Sequence, residues 1–288
     1  MGKNSKTYRA RRSARASKNK TKNKIYSSLL ACALLAMGAL SGVARCDSSS
    51  DAAVVSTGGD FEYVVIPDET PSIIKEYEGF TVNFNPSHHI PNYVVWELTG
   101  EETNGTVPRS SKFMTDNDVY GCATTDDYRN SGYDRGHMAP AADMKWSRQA
   151  MTDSHYMTNI CPQSHALNGG RWATLESKCR EWAKRDSALV IVAGPVLTDE
   201  LSRTIGKTGV SVPERFFKVI LAPYANPPRA IGFIMPNEPP YDGIESMATS
   251  VDNIEAITGF DFFSALPDEV ENHIESIANY RDWNRRNR

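Results

Sequence analysis

An α+β fold with strands in the majority is what this chain predicts, and three observations predict it. Short runs rich in Val, Tyr, Phe and Trp, separated by Pro-containing turns, recur along the body of the sequence. Helical periodicity is confined to a few stretches inserted among those runs rather than alternating with them, which argues against a parallel doubly wound sheet. No long-period repeat divides the chain, and roughly 240 residues remain for one substantial core once a non-globular N-terminus is set aside.

The first 46 residues do not read as fold. Residues 1–24 hold ten Lys or Arg and no acid, and residues 29–40 are an unbroken apolar run of twelve. With small residues at Gly42 and Ala44 this is a secretory signal pattern, so 1–46 is expected to be a signal peptide or an N-terminal membrane anchor. The expected localisation is therefore export: secreted, periplasmic or surface-anchored. The apolar run is short against the roughly 20 residues of a membrane-spanning helix, although 25–44 can be stretched into a signal anchor. Cys46, ahead of Asp47-Ser48-Ser49-Ser50-Asp51, is an alternative site for a lipid anchor, with Arg45 standing where a small residue is expected. A mitochondrial transit peptide is the other alternative; such peptides are amphipathic, whereas 29–40 is apolar on every face. Residues 47–60, rich in Ser, Ala, Gly and Asp, read as a polar linker.

The elements follow in order from Phe61. Strands are predicted at Phe61–Ile66, Phe80–Phe84 and Tyr93–Leu98. In the second, Phe80, Val82 and Phe84 face one way and Thr81 and Asn83 the other, so one face is expected to be buried. Further strands are predicted at Ala188–Ala193, Arg215–Leu221 and Ala230–Met235. Helices are predicted over Ser147–Tyr156 and Arg171–Arg185. The second carries Trp172, Leu175, Cys179, Trp182 and Ala183 at spacings of three and four, one apolar stripe. Asn168-Gly169-Gly170 just ahead suits a helix start. Late helices are predicted over Ser250–Thr258, closed by Gly259, and Asp268–Ala278, preceded by Pro267.

Charge and cysteines bound the chemistry. The chain carries −3, but 11 of its 32 basic residues and none of its 35 acidic ones lie in 1–46. That leaves 21 basic against 35 acidic residues in 47–288, a net −14. So acidic a body argues against broad affinity for polyanions; any such ligand must be held locally. The body cysteines are Cys122, Cys161 and Cys179. In an exported protein Cys161–Cys179 is the pair best placed for a disulfide, and three separate buried thiols are the alternative.

The chemistry concentrates in residues 133–176. Tyr133-Asp134-Arg135-Gly136-His137 is followed by Asn159, Asn168 and Glu176. These supply a base, a cation for phosphate, an oxygen ligand for a hard metal and a carboxylate for metal-bound water. Together they can hydrolyse a phosphodiester. A zinc site from His137, His155, Cys161 and Cys179 is disfavoured, because intervals of 17, 5 and 17 residues do not resemble paired-ligand spacing.

Asp134-Arg135-Gly136-His137, Thr158-Asn159-Ile160-Cys161-Pro162-Gln163, and Asn168 with Trp172 and Leu175-Glu176 resemble the DNA/RNA non-specific endonucleases. These are ββα-metal (His-Me finger) nucleases that include secreted bacterial and endonuclease G-like enzymes. The resemblance extends from about Phe61 to Trp283. Its later landmarks are Ala193-Gly194-Pro195, Val212–Lys218, Met235-Pro236-Asn237 and Val251–Phe263. It implies a central antiparallel sheet flanked by helices, with two strands and a helix holding the metal. It also implies Mg²⁺ as cofactor, with Mn²⁺ as a substitute, and DNA and RNA bound through phosphate with little sequence preference. The products implied carry 5′-phosphate and 3′-hydroxyl ends.

On this reading His137 is the general base, since imidazole is both largely neutral and basic near neutrality. Asn168 is the metal ligand. Glu176, eight residues on and about 80° around a continuous α-helix, holds metal-bound waters. Arg135 neutralises the scissile phosphate. Arg109, in Arg109-Ser110-Ser111-Lys112-Phe113, resembles a looser upstream match near the substrate, and Asn159 resembles a supporting asparagine. Asp134 orders the turn or Arg135. His88, His89, His155, His165 and His273 read as packed or surface residues. Two rival readings stand beside this one: a catalytically silent nucleic-acid-binding or adhesion module on the same fold, and a phosphodiesterase acting on a small molecule.

Overall fold

The computed structural model describes residues 64–197, 201, 203–239 and 242–284. The N-terminal segment, the linker and Phe61–Tyr63 of the first expected strand lie outside the described residues. The strands, in chain order, are β1 (Val64–Val65), β2 (Ile73–Glu76), β3 (Thr81–Asn85), β4 (Ile90–Thr99), β5 (Asp134–His137), β6 (Ile160–Gln163) and β7 (Ala188–Pro195). They continue with β8 (Thr204–Ile205), β9 (Val210–Ser211), β10 (Arg215–Ala222), β11 (Arg229–Pro236), β12 (Ala248–Thr249) and β13 (Asp261–Phe262). The α-helices are α1 (Arg148–Asp153), α2 (Ala173–Asp186), α3 (Val251–Thr258), α4 (Asp268–Glu275) and α5 (Tyr280–Asn284).

Seven strands form one antiparallel sheet in the order β12-β11-β10-β7-β4-β3-β2. The fold is α+β, as the sequence predicts. All eight residues of β7 are buried, which is why its sequence is a continuous apolar run rather than an alternating one. Helix α2 packs on β7 and β4, and α3 and α4 pack on β11. The predicted stripe on α2 is the packing face: Trp172, Leu175, Cys179, Trp182 and Ala183 are all buried. Trp182 meets Trp283 of α5 with ring centroids 4.9 Å apart. Ser147 and Ser250 cap α1 and α3 by accepting hydrogen bonds from backbone N–H groups. Gly259 closes α3 in the left-handed conformation at φ +73°, where a side chain is disfavoured.

The buried face predicted for β3 is present, with Val82 and Phe84 fully covered. On the opposite face Thr81 is partly covered and Asn83 is buried; the Asn83 Oδ1 accepts from Asn92 Nδ2 at 2.8 Å and Ser72 Oγ at 2.9 Å. Alternation reports side-chain polarity, and here Asn83 is buried in an amide network. The cysteines form no Cys161–Cys179 bridge; Cys122, Cys161 and Cys179 are free thiols. Burial pushes the Cys179 thiol up to about 12, so this group has little thiolate character with which to react.

Candidate active site

The frame of the site is a strand pair feeding a helix. β5 runs antiparallel to β6, pairing Arg135 with Pro162, Gly136 with Cys161 and His137 with Ile160. Gly136 is required at its position: a Cβ there would lie within 2.5 Å of three atoms of the Gln163 side chain. Gln163 has no solvent exposure, so its side chain would have to repack inside the protein to make way. After β6 the chain forms a π-helical turn, Leu167–Trp172, and then α2. The Trp172 indole N–H donates to the His137 carbonyl at 3.0 Å, joining the helix start to the end of the strand. Sequence places an α-helix from Arg171 and takes 168 and 176 as sharing one regular helix. The π turn contradicts that premise, because its i→i+5 bonds widen the turn and change the angle between Asn168 and Glu176.

His137 is 6% exposed, and its Nε2 has no hydrogen-bond partner. Phe113 lies against it at 5.3 Å between ring centroids, and His155 at 5.0 Å. Burial, with His155 and the Arg109 charge adding to it, lowers the imidazole to about 3. The ring is therefore neutral throughout the ordinary pH range. His155 has the packed role expected of it, with Nδ1 at 2.9 Å from the Met151 carbonyl. Its position beside His137 was not visible in the sequence.

Asn168 and Arg135 share a cleft of about 310 Å³ with Phe113, Tyr128, Tyr133 and Asp134. The Asn168 amide Nδ2 donates to Asp134 Oδ2 at 2.9 Å, which fixes the amide and leaves its carbonyl oxygen as the available donor atom. Asp134 also meets His165 Nδ1 at 3.0 Å. Asp134 thus orients Asn168, a role that sequence assigned instead to the turn or Arg135. Arg135 lies over the Phe113 ring at 5.0 Å, and its Nε has no partner. Phe113 therefore touches His137 and Arg135 and lines the cleft.

Glu176 sits in the first turn of α2. It keeps some contact with solvent but is closely surrounded by protein. Burial raises its carboxyl to about 7, against the pull of Lys218, while Asp143 raises it further and Arg180 and Arg109 lower it. Arg109 is exposed, yet its charge acts on His137, His155 and Glu176 alike, which places it beside the site. Asn159 is fully buried and its side chain is committed to the backbone. Its Oδ1 accepts from the Ala139 N–H, and its Nδ2 donates to the Ala139 and Ser154 carbonyls, each at 2.9 Å. It braces the chain just after His137.

Sequence reasoning missed Lys218. Its Nζ is buried without a hydrogen-bond partner, 4.3 Å from the Trp172 ring centroid and 5.2 Å from that of Trp96. A lysine in the middle of Phe216-Phe217-Lys218-Val219-Ile220 is a visible signal, because a charge in a buried strand needs a reason. Among the described residues, the grouping of His, Cys, Asp or Glu able to hold a metal ion is Asp252, Glu255 and Glu275, outside this cleft. His137, His155, Cys161 and Cys179 form no such group.

The DNA/RNA non-specific endonuclease family matches residues 57–269. The mitochondrial nuclease EXOG of Danio rerio is 35% identical over 207 residues, 66% of this chain and 60% of that protein. Human mitochondrial endonuclease G is 32% identical over 204 residues, 66% of this chain and 69% of that protein. The solved structure of an EndoG/EndoGI complex superposes with a TM-score of 0.63 at 26% identity, covering 68% of this chain and 87% of that one. The chain spans 60% of the Danio rerio relative and 58% of the Xenopus laevis EXOG. These likenesses overturn the expectation of export, since the relatives from fish, frog, yeasts and mammals are all mitochondrial nucleases. A basic, acid-free leader is common to secretory and mitochondrial addresses, so its composition does not separate the two.

Proposed function

The chain belongs to the DNA/RNA non-specific endonuclease family, and on that premise we propose that it hydrolyses phosphodiester bonds of DNA and RNA with little sequence preference. One observation carries the reading: Arg135 and Asn168 line a single cleft, with His137 directly behind Phe113 on the same strand pair. His137 takes the proton from the attacking water; its neutral ring has a lone pair for that purpose at any ordinary pH. A phosphate entering beside it brings negative charge, which favours the imidazolium and raises the basicity that burial suppresses. Arg135 and Arg109 hold the phosphate and offset the charge that builds on it. Asn159 keeps the backbone after His137 in place.

The residues present fit a divalent ion. Asn168 offers an oriented carbonyl oxygen and Glu176 a carboxylate, the hard oxygen donors that suit Mg²⁺, with Mn²⁺ as a substitute. When bound, the ion supplies positive charge that stabilises the leaving 3′ oxygen, giving 5′-phosphate and 3′-hydroxyl ends. We assign 61–288 to the nuclease domain and 47–60 to a linker. Residues 1–46 are assigned to a targeting segment, mitochondrial by analogy with the relatives.

A second reading has its own observation. His137 is 6% exposed and covered by Phe113, the state expected of a module that binds nucleic acid without cutting it. A small-molecule phosphodiesterase is the third. Incubating the full chain with plasmid, structured RNA and a small phosphodiester, with Mg²⁺ and with EDTA, separates them. Cleavage of both polymers in Mg²⁺ alone is expected. Binding without cleavage establishes the silent module, and cleavage of only the small diester establishes the third reading.

A further inference from the structure

Outside the cleft, three carboxylates converge without a counter-charge. Asp252 and Glu255 lie on α3, Glu275 ends α4, and their oxygens fall within 4.8 Å of one another. Acidic clusters are common on surfaces, but this one is not merely a surface. Glu275 is 4% exposed, its Oε1 has no hydrogen-bond partner, and its carboxylate is aimed at the other two. Glu271, one turn back on α4, has a second buried and partnerless Oε1. Among the described residues, no Lys, Arg or His pairs with Asp252, Glu255, Glu271 or Glu275. Burial first, and then Glu255, Glu271, Asp252 and Asp261, push the Glu275 carboxyl up to about 9.

A buried carboxylate surrounded by carboxylates has two stable outcomes, a proton or a cation. We propose that Asp252, Glu255 and Glu275 bind one Ca²⁺-class divalent ion that clamps α3 to α4. Bond lengths of 2.3–2.6 Å allow one Ca²⁺ to touch oxygens up to about 5 Å apart, which the 4.8 Å limit satisfies. Mg²⁺, with shorter bonds and near-ideal octahedral demands, suits ligands drawn from two separate helices less well. Glu255 is already oriented, because its Oε1 accepts from the Phe262 N–H of β13 at 2.8 Å. Both helices pack on β11, so the ion would fasten them across one edge of the main sheet. This inference is independent of the nuclease reading.

The test is calorimetric titration of Ca²⁺ into the EDTA-stripped full chain carrying Asn168→Ala, which removes the ligand assigned to the other ion. Melting is measured in parallel. One equivalent of Ca²⁺ is expected to bind and to raise the melting temperature. Asp252→Asn and Glu275→Gln should each weaken binding by about tenfold or more, because ligand charge sets Ca²⁺ affinity. In EDTA, Glu275→Gln should melt above its parent, since it removes the cost of burying a carboxylate without a partner, and in Ca²⁺ it should melt below. Asp252 is exposed, so its substitution tests the site even if Glu275→Gln does not fold. Absence of Ca²⁺ binding in the parent, or unchanged affinity in Asp252→Asn, overturns the proposal.

Discussion

Lowering the pH from 7.5 to 5 should cost the native protein about 2 kcal/mol of stability through His137 alone. The unfolded imidazole titrates near 6.5, and burial holds the folded one down at about 3. A depressed folded value means that this stability is complete above 6.5 and is lost as pH falls toward 3, because the unfolded chain takes up a proton that the folded chain refuses. At pH 5 the unfolded imidazole is about 1.5 units below its own pKa, and each unit is worth about 1.36 kcal/mol. Any folded value below about 4 gives the same loss at pH 5. Glu176 acts in the opposite sense. Its folded value of about 7 lies above the ordinary carboxyl value of 4.5, so its contribution is complete below 4.5 and is lost as pH rises through 7. That contribution is common to wild type and His137→Gln and cancels between them. Urea unfolding of both proteins at pH 7.5 and 5.0 is the assay. Wild type should lose about 2 kcal/mol more than the variant over that interval. Equal losses would mean that His137 titrates normally and that the burial described here does not govern it.

The other predictions concern the cleft. Glu176→Ala should lower turnover by about 10–100-fold, with partial recovery at high Mg²⁺, whereas Asn168→Ala should lose more and recover less, since it removes a direct ligand; the reverse order in metal-titrated kinetics would exchange the two roles. Trp172→Phe should destabilise by about 1–3 kcal/mol in urea unfolding, because it leaves the buried His137 carbonyl without its donor. With −14 on residues 47–288, affinity for duplex should fall gently with salt; a logarithmic slope steeper than about −5, six phosphates at roughly −0.9 each, would reveal a continuous basic groove instead.

How far the sequence reached depends on what each signal measures. The strands of the large sheet were legible because Ala188–Ala193, Arg215–Leu221 and Ala230–Met235 are apolar runs of strand length. β5 and β6, which carry the site, were not legible as strands by pattern. Asp134-Arg135-Gly136-His137 has the composition of a loop, and its strand geometry comes from pairing with β6 and the close fit of Gly136 to Gln163. The π turn escaped because Asn168-Gly169-Gly170 reads equally as an ordinary helix start. At the site, motif order alone brought His137, Arg135 and Asn168 together on paper. The Asp134–Asn168 bond, the Phe113 cover and the buried Lys218 are long-range contacts that no local pattern encodes. The burial of Asn83 belongs with these, because its amide is satisfied by Asn92 and Ser72 rather than by anything in the strand's own alternation.

We propose His137 as the base of a phosphodiester hydrolysis carried out at the β5–β6–α2 frame. Single-turnover cleavage of a defined duplex in Mg²⁺ by wild type and by His137→Ala, with binding of the same duplex measured in Ca²⁺, probes that role alone. The substitution should cost about 10²–10⁴-fold or more in the cleavage rate, with affinity almost unchanged. Cleavage by His137→Ala at near the wild-type rate would contradict the assignment.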